Sequence, residues 1–311
     1  MSTLVCGSFA YDTIMVFPDS FKNHILPEQV HILNVCFMVP EMRREFGGCS
    51  GNIAYNLKLL GGDAIPMGTV GKDFGPYRDW LEQLGMPHQH VTDVTGTYTA
   101  QAFITTDMDD NQIIAFHPGA MSDAHQNSIS SAENIDLGIV APDGRDAMIQ
   151  HARDFQAAGI PFVFDPGQGL PMFDGDDLRT FVDQADWLIV NDYESEMVQE
   201  KTGQSIDELA TSVRAIIVTR GAKGAQVYQH DGEIIEIPPV ATDKAVDPTG
   251  CGDAFRGGLL YGLSRGFEWP TTGRIASLLG SIKVETHGTQ NHSFSVEEFR
   301  KRFNSEFGYD Y

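Results

Sequence analysis

The chain has 311 residues, with 43 acidic against 21 basic side chains and a formal net charge of −22. This length supports one large α/β domain or two small ones with a substantial buried core, which excludes a disulfide-stapled miniature and a disordered tail. The acidic balance repels phosphate backbones and anionic lipid, so neither nucleic acid nor a membrane is expected as a partner.

Cys6, Cys36, Cys49 and Cys251 show no CxxC spacing. The first residues do not read as a secretory leader, and no apolar run approaches the roughly 18 residues of a membrane span. A reduced, cytoplasmic protein is expected. Apolar, β-rich runs alternate with helical patterns along the chain, which predicts an α/β fold of parallel strands joined by crossover helices. A strand at 3–8 is followed by short strands at 14–17 and 32–38, then by a helix at 51–60. A strand at 64–70 and a helix at 77–84 precede a second short pair, 98–106 and 112–116, joined by the turn-rich MDDN. The rhythm then resumes with strand 137–141, helix 145–157, strand 162–165, strand 187–191, helices 194–201 and 207–214, and strand 215–219. Two long, mostly apolar helices, 251–264 and 271–285, follow. The short pairs have no core of their own. They read as a small sheet inserted at about 12–40 and 97–118 of a single 1–311 domain, serving either as a lid or as edge hairpins without function. Ligands sit at the carboxyl ends of strands in open parallel sheets, which marks Ser8, Asp165, Asn191 and Thr219 by position.

Five segments carry side chains suited to chemistry. In VDPTGCGDAFRGGLL, a turn containing Gly250 and Gly252 leads into an apolar helix, so unpaired N–H groups and the positive helix end converge where an anion would sit. Asp253, in the first turn of that helix, is either a capping acid or a general base; a carboxylate beside an anion hole suits phosphoryl transfer to a hydroxyl. In EFGGCSGNIAYNLKLLG, Gly47 and Gly48 precede a helix and Asn52 offers a donor and an acceptor to a polyhydroxy ligand; a packing turn explains the same glycines. In VNDYESE, Asn191 and Glu194 suit a hydrated Mg²⁺ or a capping pair. TRGAKG follows a strand and is either a nucleotide-contacting turn or a plain hairpin turn. Asp12 lies close behind the first strand and suits hydroxyl binding. Neither GxGxxG nor GxxxxGK[ST] is present, which removes the usual dinucleotide and Walker sites. The combination of these segments points to chemistry.

Together they resemble the PfkB family of carbohydrate and nucleoside kinases over essentially the whole chain: DPTGCGDAFRGGLL is similar to its carboxyl-terminal signature, GGCSGN to its glycine-pair signature, and NDYE to its N-x-x-E magnesium motif. The resemblance implies a ribokinase-like three-layer α/β/α sandwich with a central, mostly parallel sheet and a small β-sheet lid. It implies Asp253 as catalytic base and the amides of Gly250, Cys251 and Gly252 as an anion hole. Asn191 and Glu194 would place Mg²⁺ and phosphates through water, and Thr219, Gly221 and Gly224 would contact ATP. Asp12, Gly48 and Asn52 match positions that hold ribose or sugar hydroxyls, and Asp247 matches an acid tied to a monovalent cation such as K⁺. Two positions depart from the family pattern. Pro248 removes a donor and a hydroxyl, against the cation site, and Cys251 reads as a small side chain of which only the backbone N–H matters.

MRREFGGCSGNIAYNL, AFHPGAM and FDPGQGLP look like the bacterial adenosine and broad nucleoside kinases within the family. A nucleoside needs an apolar slot for its base, for which the lid offers Phe37, Phe103 and Phe116, with Gln101 and His117 as polar contacts. The expectation is an ATP-dependent nucleoside kinase, adenosine first, phosphorylating the ribose 5′-hydroxyl. The rivals are a sugar kinase of the same fold and a nucleoside sensor without catalysis. Lids of this kind often pair across subunits in the family, which allows a homodimer through the lid, although nothing in the sequence counts subunits.

Overall fold

Period-two alternation within the apolar runs decides which way each strand side chain points, and so builds two cores on one sheet. The computed structural model describes residues 1–25, 32, 34–109 and 111–311. Its first half contains β1 (Ser2–Cys6), β2 (Ala10–Val16), β3 (Glu41–Gly47), α1 (Cys49–Leu59), β4 (Asp63–Val70), α2 (Gly75–Gln83), β5 (Val91–Asp93), β6 (Ala100–Thr106), β7 (Gln112–His117), β8 (Leu137–Val140) and α3 (Arg145–Ala158). There follow β9 (Phe162–Phe164), α4 (Gly175–Gln184), β10 (Trp187–Asn191), α5 (Asp192–Thr202), α6 (Ile206–Ala210), β11 (Ala215–Thr219), β12 (Ala225–Gln229), β13 (Ile234–Ile237), α7 (Cys251–Arg265), α8 (Trp269–Val284) and α9 (Val296–Phe307).

Among the described residues the large sheet has the order β13-β12-β11-β10-β9-β8-β1-β4-β5. All neighbouring pairs are parallel except those that β12 makes with β11 and β13. Trp187 and Ile189 of β10, with Ala215 and Ile217 of β11, pack under α1, α2, α7, α8 and α9. Their sequence neighbours Leu188, Val190, Ile216 and Val218 pack on the other face, under α3, α4, α5 and α6. The result is the three-layer α/β/α sandwich. Helix α7 lies close because it carries glycine where it meets its neighbours: a Cβ at Gly257 would be 2.6 Å from Asn56 Cβ, and one at Gly258 2.6 Å from Ala276 Cα.

The second sheet, β3-β2-β6-β7, is mixed, with β2 and β6 parallel and both flanking pairs antiparallel. It differs from the sequence expectation in one strand. Residues 34–38 are not a strand, and the partner of β2 is β3, at Glu41–Gly47. The reason is that β3 (EMRREFG) is exposed over its first four residues and so carries no apolar alternation to read. Of the inserted stretches, residues 26–31, 33 and 110 lie outside the described residues, including one member of MDDN. Helix α6 also ends four residues earlier than expected, at Ala210.

Candidate active site

The start of α7 and strand β2 of the small sheet bring Asp253 and Asp12 close together beyond the carboxyl ends of the large sheet, and the space they share is the candidate crevice. Gly250 caps α7 with φ +79°, a conformation open to glycine, and so turns the chain from Pro248 and Thr249 into the helix. Among the described residues the N–H groups of Gly250, Gly252 and Asp253 have no internal partner. The N–H of Cys251 does: it donates to the Pro248 carbonyl at 3.1 Å. Of the three amides expected to form an anion hole, those of Gly250 and Gly252 are therefore free to receive an anion, as is that of Asp253, whereas that of Cys251 is already engaged. The Cys251 thiol is pushed up to about 11 by burial, so it is not a reactive thiolate.

Asp253 is partly buried in the first turn of α7, and its Oδ2 accepts from Asn52 Nδ2 at 2.8 Å. Burial raises its pKa to about 6; Asp165 adds to the rise, while the Arg256 charge and the Asn52 hydrogen bond oppose it. Asn52 is itself fixed, since its Oδ1 accepts from Gln290 Nε2 at 2.9 Å, and Gln290 Oε1 accepts from Trp80 Nε1 at 3.0 Å. Asn52 is buried with both ends of its amide engaged, Nδ2 by Asp253 and Oδ1 by Gln290, which leaves one N–H for any sugar hydroxyl. Asp12, on β2 beside Gly47, has its pKa raised to about 6 by burial, then by the charges of Asp253, Glu45 and Asp247. Two carboxylates thus face one crevice, each ionised above about pH 6.

Beneath the anion turn lies a pair that sequence reasoning did not assemble. Arg256, 7% exposed, donates from Nε and from Nη2 (2.6 Å) to the carboxylate of Asp165, 1% exposed. Its third nitrogen sits against the turn, because a Cβ at Gly252 would lie 2.9 Å from Nη1. The spacing D-x-x-R places Arg256 one turn after Asp253, and that was the available signal. Asp165, singled out by strand position, is spent on this ion pair. Ser8 is spent as well, its Oγ and carbonyl accepting from Cys49 and Ser50 at the start of α1.

Asn191 and Glu194 form a capping box. Glu194 N–H donates to Asn191 Oδ1 at 2.7 Å, and Asn191 N–H donates to Glu194 Oε2 at 2.8 Å. Burial raises the Glu194 pKa, and its second carboxylate oxygen is left over. A single spare carboxylate oxygen at the sheet edge fits a hydrated Mg²⁺, which keeps most of its waters. Thr219 pairs with Asn191 across the β10–β11 register and closes the same edge. In the following turn Gly224, expected to contact a nucleotide, is required by the backbone itself. Its N–H and carbonyl bond Gly221 and Arg220, and a Cβ there would lie 2.1 Å from the Ile237 carbonyl. Gly221 (φ +53°) opens that turn with a free N–H among the described residues. Gly48 is structural too, with φ +88° and the Ser8 carbonyl 2.5 Å from where a Cβ would be.

Parity sorts the lid residues. Asp12, Ala102 and Phe116 stand opposite one another in register and share a face, whereas Thr13 and Phe103 share the other, as do Tyr11, Gln101 and His117. Phe116 therefore lies on the Asp12 face of the small sheet, and Phe103 and Gln101 lie on the other. Gln101 Nε2 instead donates to Asp73 at 2.9 Å. Phe37 packs on Phe17 and Phe21, with ring centroids 4.8 and 4.9 Å away.

Asp247 does not fit a K⁺ site. Its carboxylate accepts from the amides of Thr249 and Gly288, both at 2.9 Å, and its carbonyl accepts from Lys283 Nζ at 2.8 Å. Each oxygen of this residue already accepts a hydrogen bond, and the Lys283 ammonium beside it opposes a second cation.

The family model "pfkB family carbohydrate kinase" matches residues 23–295. The nucleoside kinase of Methanothermobacter thermautotrophicus is 32% identical over 315 residues, covering 99% of this chain and 97% of the relative. The solved nucleoside kinase of Burkholderia thailandensis in complex with inosine is 52% identical, with a TM-score of 0.91 over 99% of both chains. The same enzyme in complex with ADP-inosine is 54% identical, with a TM-score of 0.88 over 99% of this chain and 97% of that one. Residues 23–295 take in both glycine signatures and the acidic motif between them, so the match and the crevice concern the same residues: the chain belongs to the pfkB family of carbohydrate kinases and is a phosphotransferase with an alcohol acceptor.

Proposed function

We propose that this chain is an ATP-dependent nucleoside kinase that transfers the γ-phosphoryl group to the ribose 5′-hydroxyl of purine nucleosides, adenosine and inosine foremost. One observation carries the reading: a carboxylate, Asp253, is tethered by Asn52 beside the unpartnered amides of Gly250 and Gly252. Asp12 supplies an acceptor for the sugar hydroxyls, and Phe116, on the same face of the small sheet, an apolar surface for the base. Asp253 takes the proton of the 5′-hydroxyl as that oxygen attacks phosphorus. The negative charge on the transferring group is met by the two glycine amides, the start of α7 and the Arg256 guanidinium. Glu194, through water, is the residue that would hold the Mg²⁺ accompanying ATP; when bound, the ion neutralises phosphate charge. The relatives with nucleoside kinase activity in their names support the acceptor class.

The small sheet leaves Met42, Phe103, Ile113 and Ile114 exposed, which supports a homodimer formed through it; sedimentation of the intact chain as a single copy would overturn that assembly. The four unpaired cysteines support a reducing, cytoplasmic setting.

Steady-state kinetics with a panel of nucleosides, free pentoses and hexoses at fixed Mg-ATP tests the acceptor class. Nucleosides are expected to lead in kcat/KM by about a thousandfold, roughly 4 kcal/mol of differential transition-state binding. Faster turnover of free ribose or fructose would make it a sugar kinase, and tight nucleoside binding without turnover would make it a sensor.

A further inference from the structure

Lys283, in the last turn of α8, is 0% exposed, a rare place for an ammonium group. Its Nζ donates to the carbonyl oxygens of Asp247 at 2.8 Å and Thr286 at 3.2 Å. The Asp247 carboxylate in turn holds the amides of Thr249, inside the anion turn, and Gly288, in the loop after α8. The Val284 carbonyl accepts from the amides of Val246 and Asp247, so the end of α8 is stitched to the segment leading into α7. Carbonyl groups at a helix end carry partial negative charge, and here they meet a carboxylate. One positive charge among such oxygens is what a bare monovalent metal ion supplies elsewhere, and an ammonium nitrogen accepts the same partners at similar distances.

We propose that the Lys283 ammonium is a permanent internal replacement for an exchangeable monovalent cation, so that phosphoryl transfer by this chain is independent of K⁺. Lys283 is a positioning residue. It acts through Asp247 on the turn that presents the Gly250 and Gly252 amides, and it touches no reacting group.

The test compares the intact wild-type chain with Lys283→Ala in tetramethylammonium, sodium, potassium and ammonium chloride at one ionic strength. Turnover is read with Mg-ATP and a nucleoside, an arm that rests on the kinase reading above. Melting temperature is read in the same salts without substrates, an arm that does not. Wild-type rates are expected to agree within about twofold across the salts, and its melting temperature to be the same in potassium as in sodium. Lys283→Ala is expected to lose at least about tenfold in kcat in tetramethylammonium, to regain most of it in potassium or ammonium, and to melt higher in potassium. Strong potassium activation of the wild type, or a potassium-specific rise in its melting temperature, would overturn the proposal. So would a variant with unchanged kcat, or one that no cation restores. If the variant does not fold, the two wild-type comparisons still decide. A wild type inactive in every salt would sink the kinase reading, and the melting arm would still judge the cation proposal.

Discussion

The ionisable residues of this chain divide by what compensates their burial. Asp253 and Asp12 are raised to about 6 and face a crevice, where a hydroxyl-bearing ligand would meet them. Asp143, 2% exposed at the end of β8, faces nothing: Oδ1 accepts from the Gly144 amide at 2.9 Å, and Oδ2 has no partner among the described residues. Burial raises its pKa to about 8, so the folded chain holds a proton there that the unfolded chain loses above about pH 4. Its contribution to stability is therefore full at low pH and declines as pH rises from about 4 to about 8. Asp143→Asn removes that titration. In urea denaturation, the variant is expected to gain a few kcal/mol on the wild type between pH 4 and pH 8; a difference that stays constant with pH would contradict this. Asp253 and Gly250 stood out in the sequence because their pattern is local, a helix start after a glycine turn. Asn52 was readable as a polar residue, but not as the tether of Asp253, because the two are 201 positions apart. Lys283 was not readable at all, since nothing in the apolar pattern of α8 says which of its residues faces Asp247.

At the scale of elements, helix α7 is held from three sides: by its glycines against α1 and α8, by Asn52 from α1, and by the Arg256–Asp165 pair from the end of β9. That ion pair lies in the interior, where losing one partner strands the other charge. Arg256→Met is expected to destabilise the fold by about 3–5 kcal/mol, and adding Asp165→Asn is expected to restore part of the loss. Equal, additive effects in chemical denaturation would show that the two side chains are not coupled. Strands β10 and β11 were legible to the residue because both of their faces are buried and the runs are short, apolar and β-branched. Strand β3 was not, being solvated on both faces over its first four residues. The β12–β13 hairpin was missed although its alternation and the His-Asp-Gly turn are in plain view, and so was α9, whose capping box, Ser295 with Glu298, is a readable start signal.

Taken as a whole, the molecule places its candidate site where three layers end together. The parallel order β11-β10-β9-β8-β1 brings Thr219, Asn191 and Asp165 to the carboxyl end of the sheet, where α7 begins, and the small sheet carries Asp12 and Phe116 on one face. Sequence order predicted the α/β class because alternation of strand and helix is a local pattern, whereas the three layers came from the family resemblance. The alternation did not predict the strand order, which depends on the crossovers. The shared crevice makes a statement about pH as well: protonation of Asp253 and Asp12 below about pH 6 removes the base and a hydroxyl acceptor together, so kcat/KM is expected to fall as pH drops through that value. The most direct measurement is the turnover number of Asp253→Asn with adenosine or inosine and Mg-ATP, with nucleoside affinity measured alongside. A loss of about 10²–10⁴ in kcat with the nucleoside dissociation constant held within about threefold is the predicted result, and a variant that keeps kcat within about threefold of the wild type would contradict the assignment of Asp253 as the base.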